Sequence, residues 1–165
     1  MRKNTQLMLS EISSVLNIHF TRLRCNDSIL IVSSTGKCHE GPKDNSDLPV
    51  INESCISLGH TAYESFSNHF HLYAGKIRRS EYQTLRKISI STGQNVYEKL
   101  LLTYPNCRFR LYVEINVNEG IVLRFHQIWP GELPFYSDSM IENSKLSKKF
   151  QIYLFASPGS SANRG

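Results

Sequence analysis

Arg108, Arg110, Tyr112 and Glu114 occupy alternate positions of one short stretch, and Arg124 and His126 do the same a little further on. Guanidinium groups fork onto phosphate oxygens and a tyrosine ring offers a stacking surface for a base, so these six residues on one face would suit nucleic acid. Lys76, Arg78, Arg79, Arg86 and Lys87 form the densest basic stretch of the chain and would add phosphate-neutralising charge at the rim of such a face.

The same side chains admit other chemistry. His126 and Glu114 would act as general acid and base on a ribose 2′-hydroxyl, with Arg124 stabilising the phosphorane, in a metal-independent ribonuclease. A third reading gives the face to a protein. An inhibitor or immunity-type protein that blocks an enzyme would use Arg, Tyr and Trp as anchors, and the turn from Trp129 to Phe135 suits that role. In the plainest alternative the face is solvated, and a Glu114–Arg124 pair contributes roughly a few tenths of a kcal/mol.

What must position these residues is a β-hairpin. Phe109, Leu111, Val113, Ile115 and Val117 alternate with the polar set, which places them together on the opposite side of a strand. Asn118-Glu119-Gly120 reads as a three-residue loop, with Gly120 supplying the positive φ of a bulged turn. Pairing Val117 with Ile121 sets Val113 against Phe125, Phe109 against Trp129, Glu114 against Arg124 and Tyr112 against His126. Pro130 and Gly131 end the second strand.

Elsewhere, Leu7, Met8, Ile12, Val15 and Leu16 recur at helical spacing over 4–17, with Asn4 or Thr5 as N-cap. Asn26-Asp27 turns a first hairpin between 19–25 and 28–33. The polar stretch 34–54 reads as a long loop, with a short strand around Leu48 to Ile51 as the other possibility. Tyr63, Phe66, Phe70 and Tyr73 would make one aromatic stripe if 60–73 were a single helix. A helix over 95–104 enters at Ser91-Thr92-Gly93 and stops at Pro105. A polar connection after Trp129 leads to a last strand over 149–156.

Composition bounds the rest. Nineteen Lys and Arg against 14 Asp and Glu give a formal charge of +5, which favours anionic partners. The N-terminus meets Glu11 too early for a signal peptide, and no apolar run reaches the roughly 18 residues of a membrane span. Four single cysteines argue for free thiols. Cys38, His39, Cys55 and His60 lie close in sequence but lack the paired close ligands of a zinc site, and His69 and His71 on a helix would point apart, so no metal or cofactor is assigned. The phosphate-loop, dinucleotide, zinc-protease, nucleophile-elbow, CxxC and EF-hand motifs are all absent from the sequence.

The expectation is one α+β domain over 1–156, with about three helices on a mostly antiparallel sheet of two hairpins plus a C-terminal strand, and a disordered tail over 157–165. Its function would be non-enzymatic and cytoplasmic, with no membrane role. The partner would be nucleic acid first and an acidic protein second, held by Arg108, Arg110, Tyr112, Arg124 and His126.

Overall fold

The computed structural model describes residues 3–33 and 48–158. In chain order the elements are α1 (Lys3–Leu16), β1 (Phe20–Cys25), β2 (Ser28–Ser33), α2 (His60–Ser67), β3 (His69–Ala74), α3 (Tyr82–Thr103), β4 (Phe109–Asn116), β5 (Gly120–Gln127), α4 (Asp138–Leu146) and β6 (Phe150–Ala156). They form an α+β fold with two antiparallel sheets. One is the β1-β2 hairpin and the other has the order β3-β5-β4-β6. No helix among the described residues is long and apolar enough to cross a membrane.

The apolar alternation of β4 and β5 turns Phe109, Leu111, Val113, Ile115, Leu123 and Phe125 to one side, where Met8, Ile12 and Val15 of α1 and Leu85, Val96 and Leu100 of α3 complete the main core. Gly93 lets α3 lie directly on the sheet, since a Cβ there would come within 2.5 Å of Val113 Cγ2. Lys99 Nζ caps the end of α1, donating to the carbonyls of Leu16 and Ile18 at 3.2 and 2.7 Å.

The α+β class is as expected, with the two hairpins in separate sheets and four α-helices among the described residues. Several expectations are corrected. The single helix over 60–73 is two elements, because Asn68 leaves the helix and the chain continues as β3. The helix expected over 95–104 begins at Tyr82 and carries Gly93 in its interior, and α1 begins at Lys3, so Asn4 and Thr5 do not cap it. The connection read as polar contains α4, whose N-cap Ser137 accepts the Met140 N–H. The 34–54 stretch is partly outside the described residues, but Arg24 bridges Val50, so a short strand-like pairing exists there.

The β4-β5 register is shifted by two residues from the expected one. Asn116 faces Gly120, Ile115 faces Ile121 and Arg110 faces His126, which leaves Val117, Asn118 and Glu119 in the turn. Gly120 has φ 127°, and a Cβ on it would collide with the Tyr73 carbonyl, so both the turn and the neighbouring strand require glycine. A shift of two keeps every side chain on its expected face, so only the pairing changes.

Candidate functional site

Four of the six proposed residues are internal, Arg124 is half-buried and Arg108 is exposed. Tyr112 is 0 % exposed, His126 1 %, Arg110 3 % and Glu114 8 %. α4 and the segment before it lie over them, with Tyr112, Ile141 and Ile152 forming a second core against Phe135, Tyr136, Phe150 and Leu154. Arg110 donates to Asp138 Oδ1 at 3.1 Å. Arg124 donates to Glu114 Oε1 at 2.8 Å and to the Ser65 carbonyl at 2.9 Å, with its guanidinium 4.4 Å from the Phe135 ring centre. These arginines tie helices to the sheet and present no fork to a ligand.

His126 donates from Nδ1 to the Gln127 carbonyl at 2.6 Å, so its Nε2 is left to accept the Tyr112 hydroxyl at 3.1 Å. Burial holds the imidazole at about 4, well below its usual value, despite the pull of the Gln127 carbonyl. Burial also pushes the Tyr112 hydroxyl up, and the Tyr136 hydroxyl is raised by burial and by the charge of Glu114. The acid–base pair of the ribonuclease reading is not assembled. Glu114 faces Val122 and His126 faces Arg110, which separates the two by four residues along the strand, or roughly 13 Å.

The strongest polar site is one the sequence did not disclose. The Glu64 carboxylate, 0 % exposed, accepts the Ile31 N–H at 2.8 Å, the Gln127 N–H and Nε2 each at 2.7 Å, and Trp129 Nε1 at 3.0 Å. Burial pushes this carboxyl up against the downward pull of those donors. One turn on, Asn68 donates to the Ile31 carbonyl and accepts the Ser33 N–H, both at 2.8 Å, while Gln127 Nε2 donates to the Ile29 carbonyl at 2.9 Å. Gln127, Glu64 and Asn68 therefore stand in for a strand along the outer edge of β2 and lock the hairpin to the main sheet.

Glu132 does a similar task for α2. It accepts the N–H groups of His60 and Thr61 at 2.9 and 2.7 Å and His60 Nδ1 at 2.7 Å. Burial alone would raise this carboxyl, but the Thr61 and His60 donors outweigh it and hold it at about 2. The His60 ring stacks on Trp129 at 4.4 Å. The Trp129 to Phe135 turn is thus largely a structural clamp, although Leu133 stays 84 % exposed.

Cys38 and His39 lie outside the described residues, and Cys55 and His60 belong to no group of three metal-ligating side chains among the described ones. His69 and His71 share one side of β3, with ring centres 5.6 Å apart, and His69 Nδ1 is spent on the Phe66 carbonyl at 2.7 Å. Cys25, Cys55 and Cys107 are free, and burial raises the thiols of Cys25 and Cys107. A half-open cleft of about 430 Å³ beside Cys107 is walled by Arg22, Tyr104 and Trp129.

Six of the exposed cations among the described residues lie toward the Gly120 end of the main sheet. Ile77 donates its N–H to the Val117 carbonyl at 2.8 Å, and Val117 donates its own to the Lys149 carbonyl at 2.9 Å. This row sets exposed Lys76, Arg78 and Arg79 on one flank and exposed Lys148 and Lys149 on the other, with exposed Lys87 near the start of α3. None of these six forms an ion pair with a described residue. Arg86 stands apart from them by lying on Tyr153, donating to its hydroxyl at 2.6 Å. Arg108 is exposed at the opposite end, roughly 30 Å away along β4, where it donates to the Pro158 carbonyl at 2.9 Å.

Of the ten proposed binding residues, Lys76, Arg78, Arg79 and Lys87 are therefore brought together at the surface. Arg110, Tyr112 and His126 are buried, and Arg124 is largely covered and paired with Glu114. Lys148 and Lys149 join the first group through the fold alone, since more than sixty residues separate them from it in sequence. Comparison of the chain with protein-family models, with curated proteins and with solved structures finds no match.

Proposed function

We propose that this is a small non-enzymatic binding protein whose partner is an acidic protein, engaged at the Gly120 end of the sheet. The observation that carries the reading is the set of six exposed cations, Lys76, Arg78, Arg79, Lys87, Lys148 and Lys149, assembled from two distant segments and unpaired among the described residues. Like charges held together repel one another, and an anionic surface relieves that repulsion while gaining long-range attraction.

Nucleic acid fits this arrangement less well. Tyr112, the ring expected to stack on a base, is fully buried, and no exposed aromatic side chain lies among the six cations. An acidic protein needs no stacking platform. The reading is tested by comparing binding of a glutamate-rich peptide and of an oligonucleotide of equal charge, with and without reversal of Lys76, Arg78 and Arg79.

A further inference from the structure

Among the described residues β6 is an outer strand of the main sheet, pairing only with β4. Its odd-numbered residues bond toward β4, as the flanking bonds from Val117 to Lys149 and from Ser157 to Phe109 require, so its even-numbered residues turn their backbone groups outward. The first two outward N–H groups are capped. Ser147 Oγ accepts from Phe150 at 3.0 Å and Ser144 Oγ accepts from Ile152 at 3.0 Å. Beyond them the caps stop. The N–H and C=O of Leu154 face outward with no partner among the described residues, although a strand rich in apolar residues and free of charge over 150–156 is the kind of edge that natural sheets protect.

This uncapped stretch opens into a groove of about 650 Å³ between α3 and α4. Ile90 and Phe155 give it an apolar side toward α3, Ile141 and Leu154 line it toward α4, and Arg86 and Lys145 stand along it. Glu142, already paired with Lys145 at 2.6 Å, is the one acid lining it among the described residues. On the side of the basic end, Tyr82 and Arg86 of α3 bond Gln151 and Tyr153 of β6, each at 2.6 Å.

We propose that the partner contributes an extended segment that adds to β6 alongside Leu154, with apolar side chains in the groove and acidic ones toward Arg86 and Lys145. The inference rests on the acidic-partner reading above and specifies its mode of contact. Main-chain hydrogen bonds to the Leu154 edge supply affinity, and alternation of side chains across the added strand supplies selectivity. A second copy of this chain is the less suitable occupant, because it would bring another net charge of +5 to a groove whose free charge is positive.

The test is amide hydrogen exchange by NMR on the full chain, alone and with a short peptide alternating glutamate and valine, with binding followed separately by fluorescence anisotropy. The expected result is rapid exchange at Leu154 in the free protein and at least tenfold slowing with peptide, while Tyr153 and Phe155, bonded toward β4, are slow in both states. Peptide binding without slowing at Leu154 overturns strand addition and leaves the acidic-partner reading standing. Absence of peptide binding overturns both. Slow exchange at Leu154 in the free protein shows the edge already occupied and also overturns the proposal, and sedimentation then tells whether a second copy is the occupant.

Discussion

Ile77 and Lys149 lie on either side of Val117, one donating an N–H to its carbonyl at 2.8 Å and the other accepting its N–H at 2.9 Å. Neighbouring strands are about 4.8 Å apart, so this row brings the 76–79 turn and the 148–149 entry to β6 within roughly 10 Å. Charge separated by some seventy residues of chain becomes one surface feature. The proposed binding function rests on it, and the stability of the fold rests on groups that are inside.

Glu64 is the first of those groups. Glu64→Ala would strand the N–H groups of Ile31 and Gln127, the Gln127 amide and the Trp129 indole, all with the carboxylate as acceptor. A loss of about 3–5 kcal/mol is expected. Urea unfolding followed by Trp129 fluorescence measures it. A loss below about 1 kcal/mol would show that the hairpin is not held to the sheet through this side chain.

Gly93→Ala is expected to destabilise the protein by about 1–3 kcal/mol, even though alanine favours helix by about 1 kcal/mol. The added methyl meets Val113 Cγ2 at 2.5 Å, and Phe155 Cε2 at 3.2 Å stands behind it. Thermal unfolding by circular dichroism gives the sign directly.

Acidification should weaken the fold in two stages. His126 titrates near 4 when folded and near 6.5 when unfolded, so the unfolded chain takes up the proton first and stability falls from about pH 6.5 down to about pH 4. For a group this deeply buried the loss is on the order of 3 kcal/mol. Glu132, held at about 2 against an ordinary 4.5, adds a further loss as pH falls from about 4.5 toward 2. Urea midpoints at pH 7, 5.5 and 4 test the first stage. A flat profile across that range contradicts a neutral, buried His126.

Tyr112→Phe should lower stability by about 1–2 kcal/mol and leave partner binding unchanged, because the hydroxyl serves the His126 imidazole at 3.1 Å and reaches no surface. A variant with native stability and lost binding would return the site to the hairpin face.

The hairpin itself was legible because period-two alternation over 109–116 and 120–127 has one physical cause, a strand with two different sides. Its register was not, since a slip of two residues preserves both sides and is decided by the turn, where Gly120 pairs with Asn116 and also passes the Tyr73 carbonyl. The aromatic spacing at Tyr63, Phe66, Phe70 and Tyr73 fits a helix, yet Asn68 ends it to bond β2, a tertiary demand that local periodicity does not carry. The burial of Arg110 and His126 was equally hidden. It depends on α4, a short helix whose sequence is mostly polar and whose only buried residues are Ile141 and Ser144. Glu64 gave no signal either, because a glutamate in an amphipathic helix reads as solvated until its four donors are brought to it from two other segments.

The most direct test of the binding account is the affinity of the intact chain for a labelled acidic peptide, measured by fluorescence anisotropy at low salt and at about 0.5 M salt, beside a Lys76→Glu, Arg78→Glu, Arg79→Glu variant. Binding is expected to weaken by about tenfold or more at high salt, to be abolished in the variant, and to exceed binding of a single-stranded oligonucleotide of equal charge. Equal affinity of variant and wild type, or tighter binding of the oligonucleotide, would contradict that expectation.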